Sequence, residues 1–240
     1  MTRDLLYGRQ AVREALRGPR EVFEIWASDR ALASEDWLKD KGGPRVHVKP
    51  ERDLTPAAST SDHQGVVAWV EPYRYADAYE LAGRERPLLA CLDGVTDPRN
   101  LGAVIRGAEG AGATGIVVPS HRAAHVTAAV ARASAGAVEH LPVAVVTNLA
   151  TYLNDVKGGD RWVWGATGES GTPMWEADLT GGVALVLGAE GKGIRPLVRR
   201  ACDAFVSIPL RGRIESLNVS VAAAVLLYES VRQRSRRDDG

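Results

Sequence analysis

The chain has 240 residues, of which 45% are hydrophobic and 25% charged, shares that are typical of a globular protein with a substantial core. Its 30 basic and 30 acidic residues cancel, which excludes the global positive field of a nonspecific nucleic-acid binder. The start of the chain lacks a signal-peptide segment, and no apolar run approaches the ~20 residues that span a bilayer. We therefore expect a cytoplasmic protein without a membrane anchor.

The first third of the chain has the pattern of a small α/β unit. A short helix is predicted after Gly8 within residues 5–17 and another over 36–41, with strands over 22–26, 46–48 and 65–70. The charged stretch that follows has little apolar periodicity and ends before Pro87. We therefore predict a small α/β domain at residues 1–73, a linker at 74–86 and a second domain at 87–240.

Apolar strands alternate with helical patterns in the second domain. The predicted strands are 88–95, 115–119, 143–147, 162–165, 183–187 and 205–210, and the predicted helices are 101–110, 126–133, 149–156 and 218–231. This alternation predicts a parallel sheet that is covered on both faces. The last helix is apolar on more than one side, so we expect it to pack against the sheet and a second subunit.

Three polar, glycine-containing segments follow apolar strands in this domain, at residues 97–106, 187–193 and 208–220. The carboxyl ends of parallel strands share one edge of a sheet, so the three segments predict a ligand site there. The glycine-rich segment matches neither the Walker sequence nor GxGxxG, which disfavours a dinucleotide-dependent enzyme. Purely structural roles remain open: Asn100, Ser216 and Asn218 could cap helices, Arg106 could pair with Glu109, and Glu190 could be a cap or a surface acid.

The three segments together resemble the signatures of the SpoU (TrmH) family of RNA ribose 2′-O-methyltransferases, of the SPOUT class. Asn100 is followed six residues later by Arg106, Gly-Ala-Glu-Gly-Lys-Gly stands at 188–193, and Ser-Leu-Asn stands at 216–218. Within this family the chain resembles the subgroup that methylates the ribose of a guanosine in 23S ribosomal RNA. The resemblance implies that the catalytic residues are Asn100, Arg106, Glu190, Ser216 and Asn218. It implies that S-adenosylmethionine is bound by Ala166, Thr167, Leu187, Gly188, Gly193, Ile208, Leu210 and Leu217.

The resemblance also implies a parallel-sheet SPOUT domain with a C-terminal trefoil knot and a homodimer. The implied substrate is RNA, ribosomal RNA before transfer RNA, and neither DNA nor a membrane. A transfer-RNA methyltransferase, an antibiotic-resistance ribosomal RNA methyltransferase and an RNA-binding protein without transfer activity are the alternatives.

The first unit resembles the small RNA-binding domain that precedes the catalytic domain in many SpoU enzymes. Tyr7-Gly8-Arg9 and His63-Gln64 carry this likeness, which predicts RNA contacts for Arg9, His63 and Gln64. His63 and Gln64 could instead be turn residues only.

Metal and cysteine chemistry are not indicated. His121 and His125 share the i, i+4 spacing of a helical metal site, but the glutamate of HExxH and a third ligand are missing. Cys91 and Cys202 are too far apart for a CxxC motif, so we expect buried, reduced thiols and no metal.

Overall fold

The computed structural model describes residues 2–40, 42–168, 171–189 and 191–238. Its strands are β1 (Asp4–Tyr7), β2 (Val22–Ala27), β3 (Arg45–Val48), β4 (Val66–Val70), β5 (Leu88–Asp93), β6 (Gly115–Pro119), β7 (Val143–Val146), β8 (Arg161–Thr167), β9 (Thr172–Pro173), β10 (Gly182–Gly188) and β11 (Ala204–Ser207). Its α-helices are α1 (Arg9–Ala15), α2 (Asp29–Ser34), α3 (Glu51–Ala58), α4 (Ala78–Ala82), α5 (Pro98–Gly110), α6 (Ala128–Ala133), α7 (Leu149–Val156), α8 (Pro196–Ala201) and α9 (Val219–Asp238). Short 3-10 helices cover Asp36–Lys39 and Ala137–Glu139. Within the described ranges, no helix has both the length and the apolar character needed to cross a bilayer.

The chain divides into two compact units. Unit 1 holds residues 2–74 together with 126–140, and unit 2 holds 75–125 together with 141–238. The sheet of unit 1 has the strand order β1-β4-β2-β3, in which β4 is antiparallel to both its neighbours and β3 is parallel to β2. Leu54 and Ala58 of α3 pack on Val67 of β4 and form a small core in this unit.

Residues 126–140 pack within unit 1 through buried charges, a grouping that the sequence pattern did not predict. The Arg20 guanidinium donates from Nε to Oε2 of Glu139 over 2.9 Å, and both side chains are buried. Nearby, His140 Nε2 lies 2.9 Å from Oε2 of Glu14. Because a buried charge is costly without a partner, the Arg20–Glu139 pair fixes where this segment packs.

The sheet of unit 2 is parallel throughout, with the order β7-β6-β5-β10-β8-β11-β9. Leu89 and Cys91 of β5 belong to a core formed with α4, α7 and α8. The alternating residues Leu88, Ala90 and Leu92 point to the other face and are buried as well. The sheet is therefore covered on both faces, and the predicted α/β fold class with a small unit before a parallel sheet is confirmed.

Several short elements escaped prediction, among them β1, α2, α3, α4, α8 and β9. Helix α4 lies inside the range predicted as a linker and starts at Asp77, whose Oδ1 accepts a hydrogen bond from Tyr79 N over 2.7 Å. Its Ala78 and Leu81 are buried in the core of unit 2. An element of five residues shows barely more than one turn of periodicity, so only tertiary packing reveals it.

Both cysteines are free thiols, as expected, but only one is fully buried. Cys91 lies in β5 with no exposed surface, whereas Cys202 after α8 is partly exposed. Burial raises the pKa of Cys202 to about 11 and raises the pKa of Cys91 further. Neither thiol therefore carries appreciable thiolate at neutral pH.

Candidate active site

The carboxyl ends of four neighbouring strands form the edge at which the three polar segments meet. Gly188 at the end of β10 is in register with Asp93 at the end of β5, and Ser207 of β11 is in register with Thr167 of β8. All these strands run in the same direction. The residues that follow them are therefore delivered to one side of the sheet, where parallel folds bind ligands.

A hydrogen bond joins the first segment to the third. Asn218 donates from Nδ2 to Oδ1 of Asn100 over 3.0 Å, although the two residues are 118 positions apart. The other amide atom of Asn218, Oδ1, accepts from Ser220 N over 2.8 Å at the start of α9. Asn218 therefore caps a helix and contacts Asn100 at the same time, so its structural role does not exclude a functional one.

Asn100 does not cap α5, contrary to one of the structural alternatives. The cap is Asp97, whose Oδ1 accepts from Arg99 N over 2.8 Å, and Pro98 occupies the first helical position. Proline suits that position because its missing N–H would have no partner there. Asn100 lies inside the first turn, half-buried, and its side chain is turned to Asn218.

Arg106 stands apart from this asparagine pair. It lies six residues after Asn100 on α5, about 9 Å farther along the helix axis, and its side chain is exposed. Within the described part of the chain it forms neither a hydrogen bond nor an ion pair, so the alternative pair with Glu109 is absent. The structure thus brings Asn100 and Asn218 together and leaves the Arg106 guanidinium facing solvent.

The second segment folds back on itself tightly enough to require glycine. A Cβ atom placed on Gly188 would lie 2.1 Å from the carbonyl carbon of Gly193, closer than any real contact. Gly193 N donates to Ala189 O over 2.8 Å, and Gly193 has a φ of +63°. Glu190, one of the predicted catalytic residues, lies outside the described residues.

The turns after β5 and β8 each lie close to one of the polar segments. A Cβ atom on Gly94, in the turn after β5, would lie 3.6 Å from Cβ of Ala189 in the second segment. One on Gly168, after β8, would lie 3.6 Å from the Glu215 carbonyl oxygen in the third segment. The ends of β5, β8 and β10 and the third segment therefore converge.

The predicted cofactor residues supply backbone groups and partly exposed apolar side chains at this edge. Ala166, Thr167 and Ile208 are half-buried, and Leu210 and Leu217 are each 37% exposed. The side chain of Leu187 is buried, which leaves its backbone as the part that could meet a ligand. An adenine ring needs backbone donors and acceptors beside apolar surface, so this set of groups fits S-adenosylmethionine.

Ser216 is exposed, and no hydrogen bond joins it to the rest of the described chain. The helix that follows is capped by Asn218, so the alternative cap role of Ser216 is not realised. Its predicted catalytic role stays a prediction.

The three predicted RNA contacts lie in unit 1 and differ in accessibility. His63 is 1% exposed, and its ring nitrogens lie 3.0 Å from Thr55 Oγ1 and 3.0 Å from Gly65 N. Gln64 is exposed, and its carbonyl oxygen accepts from Arg9 Nε over 3.0 Å. Arg9 also forms an ion pair with Glu35 at 3.2 Å. Gln64 and Arg9 present polar surface, whereas the His63 ring orders the turn beneath them.

One charged pair at this edge was not predicted from the sequence. Asp93, which ends the apolar strand β5, is fully buried and contacts Arg195 at the start of α8. A carboxylate at the end of an otherwise apolar strand was the available signal. Among the described residues there is no group of three or more His, Cys, Asp or Glu side chains that could hold a metal ion.

Comparison with known proteins identifies the family to which this arrangement belongs. Residues 87–228 match the model of the SpoU rRNA Methylase family, and residues 5–76 match the model described as RNA 2′-O ribose methyltransferase substrate binding. The chain belongs to the SpoU rRNA methylase family. The predicted family is thereby confirmed, and with it the predicted class of enzyme, an RNA 2′-O-ribose methyltransferase that uses S-adenosylmethionine.

Individual members of the family match nearly the whole chain. The 23S rRNA (guanosine-2′-O-)-methyltransferase RlmB of Photobacterium profundum is 39% identical, over 98% of this chain and 99% of its own. RlmB of Ralstonia nicotianae is 44% identical over 96% of each chain. Among solved structures, the SpoU methyltransferase AviRb of Streptomyces viridochromogenes, in complex with the cofactor AdoMet, is 28% identical with a TM-score of 0.81, over 97% of this chain and 91% of its own.

Proposed function

We propose that this SpoU-family protein methylates the ribose 2′-hydroxyl of a guanosine in 23S ribosomal RNA. The observation that carries the proposal is the similarity to RlmB proteins, which extends over both units of the chain rather than over the catalytic sheet alone. A relative that shared only the catalytic sheet would support the chemistry without the substrate. The 2′-hydroxyl is the group that distinguishes RNA from DNA, so DNA is not a substrate.

The residues at the sheet edge divide the work of the reaction. Bound S-adenosylmethionine supplies a methyl group on a sulfonium sulfur, and its transfer releases S-adenosylhomocysteine and the hydroxyl proton. Asn100 and Asn218, joined by their hydrogen bond, hold the ribose. The Arg106 guanidinium clamps the neighbouring phosphate, where its positive charge also stabilises the developing alkoxide. Glu190 and Ser216 orient Arg106 and the target nucleotide.

The cofactor is held by the backbone of Gly188 and Gly193 and by the apolar side chains of Ile208, Leu210 and Leu217. The tight turn at Gly188 supports this assignment, because backbone groups can approach a ligand closely where side chains are absent. The segments around α8 and β11 form the trefoil knot of the SPOUT class. RNA binding belongs to the domain predicted at residues 1–73 and catalysis to the domain predicted at 87–240, joined by residues 74–86, in a cytoplasmic protein. Residues 126–140 add to the first unit, and α4 in the joining segment packs in the second.

The active form is a homodimer built on α9. Val221 and Tyr228 stand two turns apart on this helix and are 47% and 50% exposed, and Ile214 and Leu217 of the preceding segment are exposed as well. A second copy of the chain would cover this apolar surface. A Val221→Glu variant is expected to sediment as a monomer where the parent chain sediments as a dimer, and a monomeric parent chain would contradict the proposal.

The deciding experiment is methylation of defined RNA by the purified protein. The protein is incubated with S-adenosylmethionine labelled in the methyl group and with unmodified 23S ribosomal RNA or transfer RNA. We expect label in 23S RNA, recovered as 2′-O-methylguanosine after digestion to nucleosides. Label in transfer RNA alone would favour a transfer-RNA methyltransferase. If no RNA is labelled, the result would favour an RNA-binding protein without transfer activity.

A matched substrate then tests the acceptor atom. Once the methylated position is mapped, a short RNA that covers it is made with a single 2′-deoxy nucleotide at that site. This RNA should bind but accept no methyl group, because the reacting oxygen is missing. Continued methylation of the deoxy substrate would show that the base, and not the ribose, is the acceptor.

A further inference from the structure

The carboxylate of Asp93 is placed where a charge is expensive. Asp93 ends β5, a strand whose other residues are apolar and buried, and its own side chain has no exposed surface. A carboxylate that is buried without partners strongly destabilises the folded state. The chain can tolerate the charge here only if both carboxylate oxygens are satisfied.

Arg195 satisfies both oxygens from two directions. Its backbone N–H donates to Asp93 Oδ2 over 2.7 Å, and its guanidinium Nε donates to Oδ1 over 2.6 Å. The guanidinium Nη2 lies 2.5 Å from the same Oδ1. Charge-assisted contacts of this kind are short and fix direction as well as distance. Asp93 therefore determines both where the backbone of Arg195 lies and how its side chain is turned.

These contacts close a loop whose other end is already anchored. Gly188, in register with Asp93 across the β10–β5 ladder, precedes the loop, and Arg195 follows it. Between them, Gly193 N donates to Ala189 O, and the Gly188 backbone touches that of Gly193. Asp93 thus lies beside Gly188 at the end of β10, where the loop begins, and is hydrogen-bonded to Arg195, where the loop ends.

We propose that Asp93 and Arg195 are positioning residues for methyl-donor binding, which they support by fixing the backbone of Gly193 and Ile194 against that of Gly188. The inference rests on the proposed function, which places S-adenosylmethionine against Gly188 and Gly193. Neither residue is required to touch the cofactor or the RNA. Their effect reaches the reaction through the loop backbone, so their loss should weaken cofactor affinity and spare the chemical step.

Two substitutions remove the contact from opposite sides. Asp93→Asn keeps the size of the side chain but turns one accepting oxygen into an NH₂ group that faces donors of Arg195. Arg195→Gln removes the guanidinium, leaves the backbone N–H on Asp93 and keeps an amide NH₂ as a donor. Because the buried carboxylate loses its cation, the variant should be less stable than the parent, so its unfolding temperature is measured beside its affinity. Arg195→Lys retains the charge without the planar fork and should restore part of the affinity.

The matched control is Asp203→Asn. Asp203 precedes β11 in the same unit, where its Oδ2 accepts from Val163 N over 3.0 Å and its Oδ1 lies 3.6 Å from Lys157 Nζ. It is thus another aspartate with a backbone and a cationic partner, but at the amino-terminal edge of the sheet, away from the loop.

The experiment measures the Kd for S-adenosylhomocysteine by calorimetry, the KM and kcat for methylation of 23S RNA, and the unfolding temperature of each variant. We expect Asp93→Asn and Arg195→Gln to raise Kd and cofactor KM about tenfold or more, with kcat at saturating cofactor within about threefold of the parent value. Asp203→Asn should leave Kd unchanged.

A lowered unfolding temperature with unchanged Kd and KM in both variants would show a purely structural pair and overturn the inference. If Asp93→Asn does not fold, the inference is tested on Arg195→Gln and Arg195→Lys by the same measurements of Kd, KM, kcat and unfolding temperature. A parent protein that binds no S-adenosylhomocysteine would instead refute the proposed function. A parent that binds it, with variants that bind equally well, would refute this inference alone.

Discussion

The side chain of Asn218 donates a hydrogen bond to the side-chain oxygen of Asn100 over 3.0 Å, and so ties the start of α9 to the first turn of α5. Helix α5 begins after the carboxyl end of β5, so the bond brings the start of α9 to that edge of the parallel sheet. A pair of amides in this position offers a donor and an acceptor in fixed relation to each other. A ribose hydroxyl needs both, because it donates and accepts at once.

The asparagine pair should act as a unit in catalysis. Asn100→Ala and Asn218→Ala are each expected to lower kcat by about 10- to 100-fold, and the double variant should lose little more than the worse single one. The measurement is a double-mutant cycle on kcat with 23S RNA. If the fold-losses in kcat of the two single variants multiply in the double variant, the two side chains act independently. Asn218→Asp, which keeps the acceptor that caps α9, separates loss of the cap from loss of the donor.

Arg106 should matter for transfer and not for cofactor binding. Arg106→Ala removes an exposed cation without any contact in the described chain, so the unfolding temperature should not change. We expect methyl transfer to fall by at least ~100-fold, as for other groups that stabilise developing charge, while the Kd for S-adenosylhomocysteine stays constant. Arg84→Ala, an exposed arginine just before β5, is the control. Loss of cofactor affinity in Arg106→Ala would contradict the assigned role.

Gly188→Ala should disrupt the turn in which Gly188 approaches Gly193, where we propose that the cofactor binds. The added methyl group would lie 2.1 Å from the backbone of Gly193, so the loop has to open. We expect a loss of about 1–3 kcal/mol in the free energy of unfolding and a weakened or absent cofactor complex. Urea denaturation and calorimetric titration measure the two effects. Gly43→Ala, where the new Cβ meets only Asp40 O at 3.9 Å, should leave both values unchanged.

Glu229 should contribute stability that disappears in acid. Hydrogen bonds from Arg232, at 2.7 Å and 2.6 Å, are the main cause that lowers the pKa of this nearly buried carboxyl group. A lowered folded-state pKa stabilises the fold above the ordinary value of about 4.3, and the contribution is lost as pH falls below it. Glu229→Gln should therefore reduce the free energy of unfolding by about 1 kcal/mol at pH 7.

The difference between Glu229→Gln and the parent should shrink as the pH is lowered through the carboxyl range. Urea denaturation at several pH values between neutrality and the acid limit measures it. A difference that stays constant with pH would mean that the glutamine disturbs packing instead. Glu109→Gln, which changes an exposed carboxylate with no ion pair in the described chain, should have no effect at any pH.

Sequence patterns predicted the long elements well because burial repeats along them. The strands of the parallel sheet are continuous apolar runs, and their ends coincide with polar, glycine-containing segments, so the site edge followed from local pattern alone. Short helices such as α4 and α8 have too few residues to show a period. The sequence left open whether Asn100 caps α5, because Asp97 and Asn100 are equally suitable residue types, and Pro98 at the first helical position identifies Asp97 as the cap.

The sequence by itself determined the family, the parallel sheet and the three segments that carry Asn100, Arg106 and Asn218. These depend on residue types at fixed local spacing, which the chain records directly. Only the tertiary structure decided that Asn100 bonds to Asn218, that Asp93 bonds to Arg195, and that residues 126–140 pack with unit 1. The bonded partners are more than a hundred positions apart, so their contact depends on strand order and burial, and a buried charge finds its partner only when the chain is folded.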